Sequence, residues 1–566
     1  MIPRLTFFSS SVGPLKVWKW VALFCLGLAG VFPGSGGQVR PLGMHEIFVA
    51  QTAEEMIQHD NFLIPTFNDE LRLEKPPLSY WVAVVSELIG DEQFPHISEF
   101  EARLPSALAG IALIFVVVGM GFVAFEDRRI AWVAGALLAT TWGFHIFSHS
   151  ARPEMLYTFF CSMEMLGFLL LQRSLEDTHA NLWAGIVAWG GFAGAILTKG
   201  PLFPLFIFLG VGVSLLIRHP RPSFLRSIRP FMGLTFAVAT GVYFLYLASV
   251  AKGAGGFWVD QMTQSKDVPL WLRPLRMYFP FAAVKLLLPW SLLLIFVARE
   301  IWKNRHPLAL MLGMSSLFCL IFVSFSGKLR LHYILPAIPF LCVLMAWAGV
   351  NFYDRQLRKN MGGMQLSWLL GLHVWVCGAV AVGLTLLAFR EVPYKSLNPW
   401  ISVVPWMIFS VAIGGITWYY RKTQPIRACV CLIIMVGLIS AGMGFGALGY
   451  RTKWYMQSNF AAAVAKAAPP NLPMFTDHDF APYLLYYGGR KSKLISPSKR
   501  ISAKDLLTFQ KDHRSPALLV VNRDKLKEAG LKGRELYQGQ LTKHGKTVVL
   551  FQTDGEGPSQ VATGSG

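Results

Sequence analysis

The chain has 566 residues, 54% hydrophobic and only 15% charged, with a net charge of +20. Its mean hydropathy of +0.45 excludes an ordinary water-soluble enzyme. Apolar runs of about twenty residues, the length that crosses a hydrocarbon core, recur along it, so the excess of Lys and Arg points to cytoplasmic loops rather than to nucleic acid.

Taken in chain order, basic residues Arg4, Lys16 and Lys19 precede "VWKWVALFCLGLAGVF". The following "GSGGQ" lacks an A-x-A cleavage site, so this segment reads as an uncleaved first helix. Thirteen spans are expected near 16–33, 105–125, 130–147, 154–172, 182–197, 201–217, 230–250, 279–298, 307–325, 332–352, 365–388, 400–419 and 427–449. The even-numbered connections, among them "RHPRPSFLRSIRP", "REIWKNRH" and "RKTQPIR", are rich in Arg and Lys, which places them and the N-terminus in the cytoplasm. An odd number of spans then leaves the C-terminal region outside. All seven cysteines fall in apolar segments without spaced partners, so neither a disulfide framework nor a zinc cluster is indicated.

The first outer loop, 34–104, has the opposite charge bias: 12 acidic residues against Arg40, Arg72, Lys75 and Arg103. Two surface helices are expected in it, at 44–60 and 77–90, lying along the outer membrane face and tied down by Tyr80 and Trp81. Between them runs "NDELRLEKPPLSYW", whose Pro76-Pro77 pair forces an extended elbow at Glu74 and Lys75.

After the transmembrane region, 1–450, the pattern changes. "LPMFTD", "SKLISP", "PALLVVN", "RELYQGQL" and "KTVVLFQ" read as short strands alternating with helical stretches, so 451–552 is expected to be a small soluble α/β domain. Residues 553–566 read as a disordered tail. Asp477, His478 and Asp479 stand together there, but a tight turn or helix cap explains them. No internal repeat of the transporter kind is present.

Positive residues at the outer ends of spans break the charge rule and are therefore informative. They are Lys75, Arg152 in "SARPEM", Lys199 in "LTKGP", and Lys328 with Arg330 in "FSGKLRLHY"; Glu46, Glu74 and Glu154 lie within reach of the same surface. Singly, each reads as snorkelling at the headgroups. As a set beside Gly-Pro turns and helix ends, they suit an anionic phosphate at membrane depth, and the acidic groups can deprotonate a hydroxyl. His45 and Glu46 just after the first span have the simple alternative of a helix N-terminus. His145, His149 and His332 have no metal-site spacing, and no metal is assigned.

The series "HE…AEEM…EKPPLSYW…ARLPSALAG", then "ILTKGP", "LLLPWS" and "FSGKLRLHYILPAIP", resembles the integral-membrane glycosyltransferases of the GT-C fold that use polyprenyl-phosphate sugars, namely the aminoarabinose transferases of lipid A and the protein O-mannosyltransferases. The resemblance covers about 16–350. It implies an all-α polytopic membrane protein with about 13 transmembrane helices and an extracytoplasmic C-terminal α/β domain, in the bacterial inner membrane. It implies that Lys75, Arg152, Lys199, Lys328, Arg330 and Tyr333 bind the donor phosphate, with Glu74 and Asp260 supporting the cavity. The family's Asp-Glu pair reads His45-Glu46 here, so Glu46 or His45 is the candidate base, and Glu154 matches a second family acid. A divalent metal is left open. The expected activity is inverting transfer of a sugar from a polyprenyl phosphate to a lipid, glycan or protein hydroxyl on the outer face. The alternatives are a non-catalytic lipid-binding relative and a lipid-linked-sugar transporter.

Overall fold

The computed structural model describes residues 22–28, 40–87, 96–174, 178–217, 225, 227–251, 269–326, 328–358, 364–391, 400, 403–442, 452–496, 501–513, 515–540 and 547–554. Asp260, most of the first expected span, and the tail beyond 554 lie outside them. Eight described helices are long and apolar enough to cross a membrane, and bent pairs at Arg128–Ala139 with Trp142–Ser148 and at Tyr278–Leu286 with Trp290–Asn304 bring the number to 10. Leu202–Leu216 is a shorter apolar helix of 15 residues.

Local chemistry sets the helix ends. Glu99–Phe125 opens on a capping box in which Ser98 Oγ accepts from Glu101 N and Glu101 Oε2 accepts from Ser98 N. Pro153–Arg173 begins with Pro153 in its first turn, where a missing N–H costs nothing, and Glu154 beside it faces the positive end of the helix dipole. Thr178–Lys199 stops at Gly200, whose φ of +116° a side chain would not tolerate, and Pro201 prevents continuation. These two helices pack closely because Gly167 leaves room: a Cβ there would lie 2.1 Å from the Ala188 backbone nitrogen.

The C-terminal region contains a five-stranded sheet. After the small hairpin β1 (Thr66–Phe67) and β2 (Glu70–Leu71), its strands are β3 (Met474–Thr476), β4 (Lys493–Leu494), β5 (Leu518–Asn522), β6 (Gly533–Gln540) and β7 (Thr547–Thr553). The order is β4-β3-β5-β7-β6; β3 runs parallel to β4 and β5, while β7 runs antiparallel to β5 and β6. Asp477 caps the turn after β3, accepting from Asp479 N and Phe480 N.

The helix Met44–Gln58 differs from a surface helix. Its apolar positions Ile47, Ala50 and Ala53 are buried as the spacing predicts, but Glu46, Glu54 and Glu55 are buried too. Tyr80 is only 1% exposed, so it lies in a core and not among headgroups. The cause is coverage from above: Ile47, Ala50, Tyr80 and Ile97 share one apolar cluster with Phe460, Tyr483, Leu484 and Val520 of the sheet region. The buried acids survive by capping backbone. Glu54 accepts from Ile97 N at 2.8 Å, and Glu55 accepts from Asn68 N and Thr66 Oγ1.

Adding a methyl at Gly167 must push two spans apart, so Gly167→Ala is expected to destabilise the protein by about 1–3 kcal/mol. Gly212, with open space around its Cβ position, is the control; Gly212→Ala should be neutral or stabilising by up to about 1 kcal/mol. Thermal unfolding midpoints in detergent compare the two.

Candidate active site

Three chain segments meet at Glu154. It sits in the first turn of Pro153–Arg173 and is buried. Lys199, the last residue of Thr178–Lys199, brings its ammonium to 3.3 Å from Glu154 Oε1, a position the negative end of that helix favours. Arg152, at the N-cap, places Nη2 3.1 Å from the same oxygen. His332, in the turn Leu331–Ala337, brings Nε2 to 3.4 Å, and its Nδ1 lies 3.5 Å from Arg152 Nη2. Glu154 Oε2 is buried and has no hydrogen-bond partner among the described residues. One oxygen of this carboxylate is crowded and the other is unpaired there.

Aromatic rings frame the crowded side. The Lys199 ammonium lies 5.5 Å from the Tyr333 ring centre and 5.6 Å from that of Tyr157. Tyr157 is fixed at both ends of its hydroxyl, donating to Gly200 O and accepting from Phe203 N. The Gly200-Pro201 break and the Lys199 head are thereby held together.

The elbow supplies a further cation. Pro77 O accepts from Tyr80 N and Trp81 N, which starts Leu78–Glu87 directly after the Pro-Pro pair. Lys75 therefore cannot retreat along a helix. Burial, and then the charge of Lys199, lower its ammonium from the ordinary 10.5 to about 8, against the opposing pull of Glu154 and Glu74. Glu74 itself is exposed and paired with Arg72 at 2.7 Å. The Arg72 guanidinium in turn lies over Phe48, 3.9 Å from its ring centre.

His45 and Glu46 are neighbours with opposite fates. The His45 ring faces the same mouth; partial burial, then the charges of Arg152 and Arg330, lower it to about 4, so it is neutral at pH 7. Glu46 turns inward. Its Oε1 meets Arg40 Nη2 at 2.9 Å, Arg103 Nε at 3.3 Å and Ala151 N at 2.9 Å, and its Oε2 accepts from Gly43 N at 2.8 Å. Burial would raise its carboxyl, but Arg40, Arg103 and the two backbone donors outweigh it and hold it at about 2. A carboxylate has about four acceptor positions, and those of Glu46 are taken. It has none left for a substrate proton.

Of the remaining residues expected from sequence, Arg330 and Tyr333 border the mouth, with the Arg330 charge acting on both Tyr333 and His45. Lys328 is exposed on the preceding turn, where Ser326 Oγ accepts from its backbone N, and it makes no described contact with the Glu154 group. Asp260 lies outside the described residues. Sequence reasoning missed Arg72 and Tyr157 and left His332 unassigned; the signal for His332 was its place between Arg330 and Tyr333. Among the described residues one group, Glu55, His59 and Asp69, has metal-ligand distances. Glu55 is already used in closing the β1–β2 hairpin, and the group is remote in role from the Glu154 mouth.

Residues 44–248 match the family model described as dolichyl-phosphate-mannose-protein mannosyltransferase. The chain is 22% identical over 405 residues to the undecaprenyl phosphate-alpha-4-amino-4-deoxy-L-arabinose arabinosyl transferase 2 of Proteus mirabilis (strain HI4320), covering 68% of this chain and 70% of that one. The structure of ArnT from Cupriavidus metallidurans in the apo state superposes with a TM-score of 0.72 at 18% identity, covering 95% of this chain and 98% of that one. The same protein bound to undecaprenyl phosphate gives 0.71 at 18% identity, covering 96% and 99%. The fold is accordingly of the ArnT-like GT-C kind.

Glu46→Gln leaves two buried guanidinium groups facing a neutral amide, and breaking such a pairing costs about 3–5 kcal/mol. Lower yield and a lower thermal midpoint are expected before any effect on chemistry. The pH dependence has a defined sign. The Glu46 carboxyl is depressed from 4.5 to about 2 in the fold, so the stability it contributes is complete above pH 4.5 and lost as pH falls from there toward 2. Unfolding midpoints across that window test this, and Glu46→Gln should flatten the acid loss.

Proposed function

We propose that the basin around Glu154 receives the phosphate of a polyprenyl-phosphate sugar, and that His45 takes the proton of the acceptor hydroxyl. The comparisons support a multi-pass membrane glycosyltransferase of the bacterial inner membrane that draws on such a donor. The observation that carries the placement is the gathering of Lys199, Arg152 and His332 within 3.4 Å of one buried carboxylate oxygen, with the charge of Lys75 acting on the same group from the elbow. Like charges this close in a poorly solvated mouth call for an anion, and a phosphate satisfies several of them at once.

The division of roles follows. Lys75, Lys199, Arg152 and Arg330 hold the phosphate, with Tyr333 at the rim. Glu154 keeps Lys199 and Arg152 charged and in place while the pocket is empty. Glu46 anchors the loop that bears His45, and Lys328 is given no part. In the transfer, the acceptor oxygen bonds to the anomeric carbon as the bond from that carbon to the phosphate oxygen breaks. The electron pair stays on the lipid phosphate, which gains one negative charge among the cations; the hydroxyl proton passes to His45. Phosphate is a good leaving group, so cations replace a strong general acid. The acceptor is a lipid, glycan or protein hydroxyl.

The same reading orients the molecule. Thirteen spans put the N-terminus in the cytoplasm, and the Glu154 mouth and the five-stranded sheet on the outer face.

Lys75→Ala is expected to lower kcat/KM for labelled-sugar transfer by about 100-fold or more, the scale of removing one preorganised donor from developing charge. His45→Ala should lower kcat by about 10²–10⁴ with donor binding retained. Unchanged turnover in either variant, with folded protein present, rejects that residue's role. The pH profile of kcat/KM should fall on both sides: below about 4, where His45 becomes protonated, and above about 8, where Lys75 loses its charge.

A further inference from the structure

The C-terminal sheet region touches the candidate site through three tyrosines on one short helix. Ala481–Tyr486 and the residue after it carry Tyr483, Tyr486 and Tyr487, spaced to share a face. Tyr483 Oη accepts from Met44 N at 3.1 Å, and Tyr487 Oη accepts from Leu42 N at 2.6 Å while donating to Glu99 Oε1 at 3.1 Å. Tyr486 Oη donates to Ile97 O at 2.6 Å.

The atoms caught in this way are specific. Leu42 and Met44 flank Gly43 and directly precede His45, at the start of Met44–Gln58, where helix N–H groups have no intrahelical acceptor. The phenols supply those acceptors from a part of the chain more than 400 residues away in sequence. From the opposite side, the Glu46 carboxylate holds Gly43 N. Three consecutive backbone N–H groups, at Leu42, Gly43 and Met44, are thus pinned alternately by the sheet region and by Glu46 of the helix they open. Burial pushes the Tyr483 and Tyr487 phenols well up, so both stay neutral and keep lone pairs for these N–H donors across the ordinary pH range.

We propose that Tyr483 and Tyr487 are positioning residues for catalysis: through Leu42 N and Met44 N they fix the loop that presents His45 to the acceptor hydroxyl. This rests on His45 as the base. The sheet region is then a working part of the catalytic machinery, and its contact with the outer loop does more than cover apolar surface. The remaining contacts at this junction tie the elbow's hairpin instead: Lys491 pairs with Asp69, and Asn68 Nδ2 donates to Ser492 O at 2.9 Å.

The test removes hydroxyls and leaves rings. Tyr483→Phe and Tyr487→Phe, singly and together in the full chain, keep the aromatic packing of the shared core, and the thermal midpoint reports whether the fold is retained. The double variant is expected to lower kcat for sugar transfer about 10-fold, as small displacements of a reacting group do, with binding of polyprenyl phosphate unchanged within twofold. In a His45→Ala background the same two changes should cause no further loss, because they act through that side chain. Unchanged kcat in the double variant overturns the proposal. So does an equal loss in the His45→Ala background, which marks a purely structural role, or a loss confined to donor binding. Full activity of His45→Ala itself rejects the base assignment, a failure read separately from that of the hydroxyls.

Discussion

A buried anion must be neutralised where it sits, and the architecture around the mouth follows from meeting that demand at Glu154. In a poorly solvated site an unpaired carboxylate is too costly to keep, so each segment that reaches it has to deliver positive charge or a hydrogen-bond donor. The helix Thr178–Lys199 does so with its last residue, the N-cap of Pro153–Arg173 with Arg152, and the turn Leu331–Ala337 with His332. Because the anchor is one oxygen, these segments converge on one point. Because Lys75 stands nearby as well, positive charge exceeds what a single carboxylate offsets. The free protein therefore carries an excess of positive charge at this mouth.

The two buried carboxylates of the site divide support from recognition. Around Glu46 the accounting is closed: two guanidinium groups and two backbone N–H groups occupy its oxygens, and Arg103 also donates to Arg40 O and Pro41 O. Such a group fixes geometry and is poor at exchanging partners. Around Glu154 it is open: one oxygen has no partner among the described residues, and Lys199, Arg152 and His332 share the other. A site that must accept and release a charged lipid at every turnover needs the second kind of environment resting on the first. The shared apolar cluster between the outer loop and the sheet region gives that rest its stiffness.

Much of this was legible in the sequence, and the limits have physical causes. Apolar runs gave the spans because hydrocarbon imposes a length. Short runs between helical stretches gave all five strands of the sheet, of which β3 and β5 are buried almost throughout. Basic residues at the ends of apolar segments, Arg152, Lys199, Lys75 and Arg330, pointed to the mouth because a membrane punishes stray charge. What could not be read was partnership across the chain. Glu46 and Glu154 look alike as single acids next to helix starts, and only the fold tells which one meets Arg40 and Arg103. The helix Met44–Gln58 carried a polar face that suits a water-exposed surface, yet its acids are consumed as caps under a domain that begins some 400 positions later. The Tyr483, Tyr486 and Tyr487 spacing was visible, but nothing local shows that hydroxyls on one helix face will find backbone at Leu42, Met44 and Ile97.

The distribution of polar groups also separates transfer from transport. A carrier moving a charged headgroup across the bilayer needs partners along its route, usually at broken helices near the midplane. Here the ionisable groups gather at the two ends of the spans, around Glu154 at one end and in the Arg173–Glu126, Arg129–Asp354 and Arg355–Glu300 pairs at the other. Along Pro153–Arg173 the exception is Glu164, fully buried, with neither carboxyl oxygen hydrogen-bonded. It is walled by the close approach of Thr178–Lys199 at Gly191, where a Cβ would lie 2.4 Å from Glu164 N. A tightly packed wall is no path for a sugar. On the proposed reading, the binding energy of a phosphate at Lys75 and Lys199 is available for chemistry at the mouth, where the departing lipid phosphate, richer by one negative charge, meets the same cations more strongly than the intact donor did.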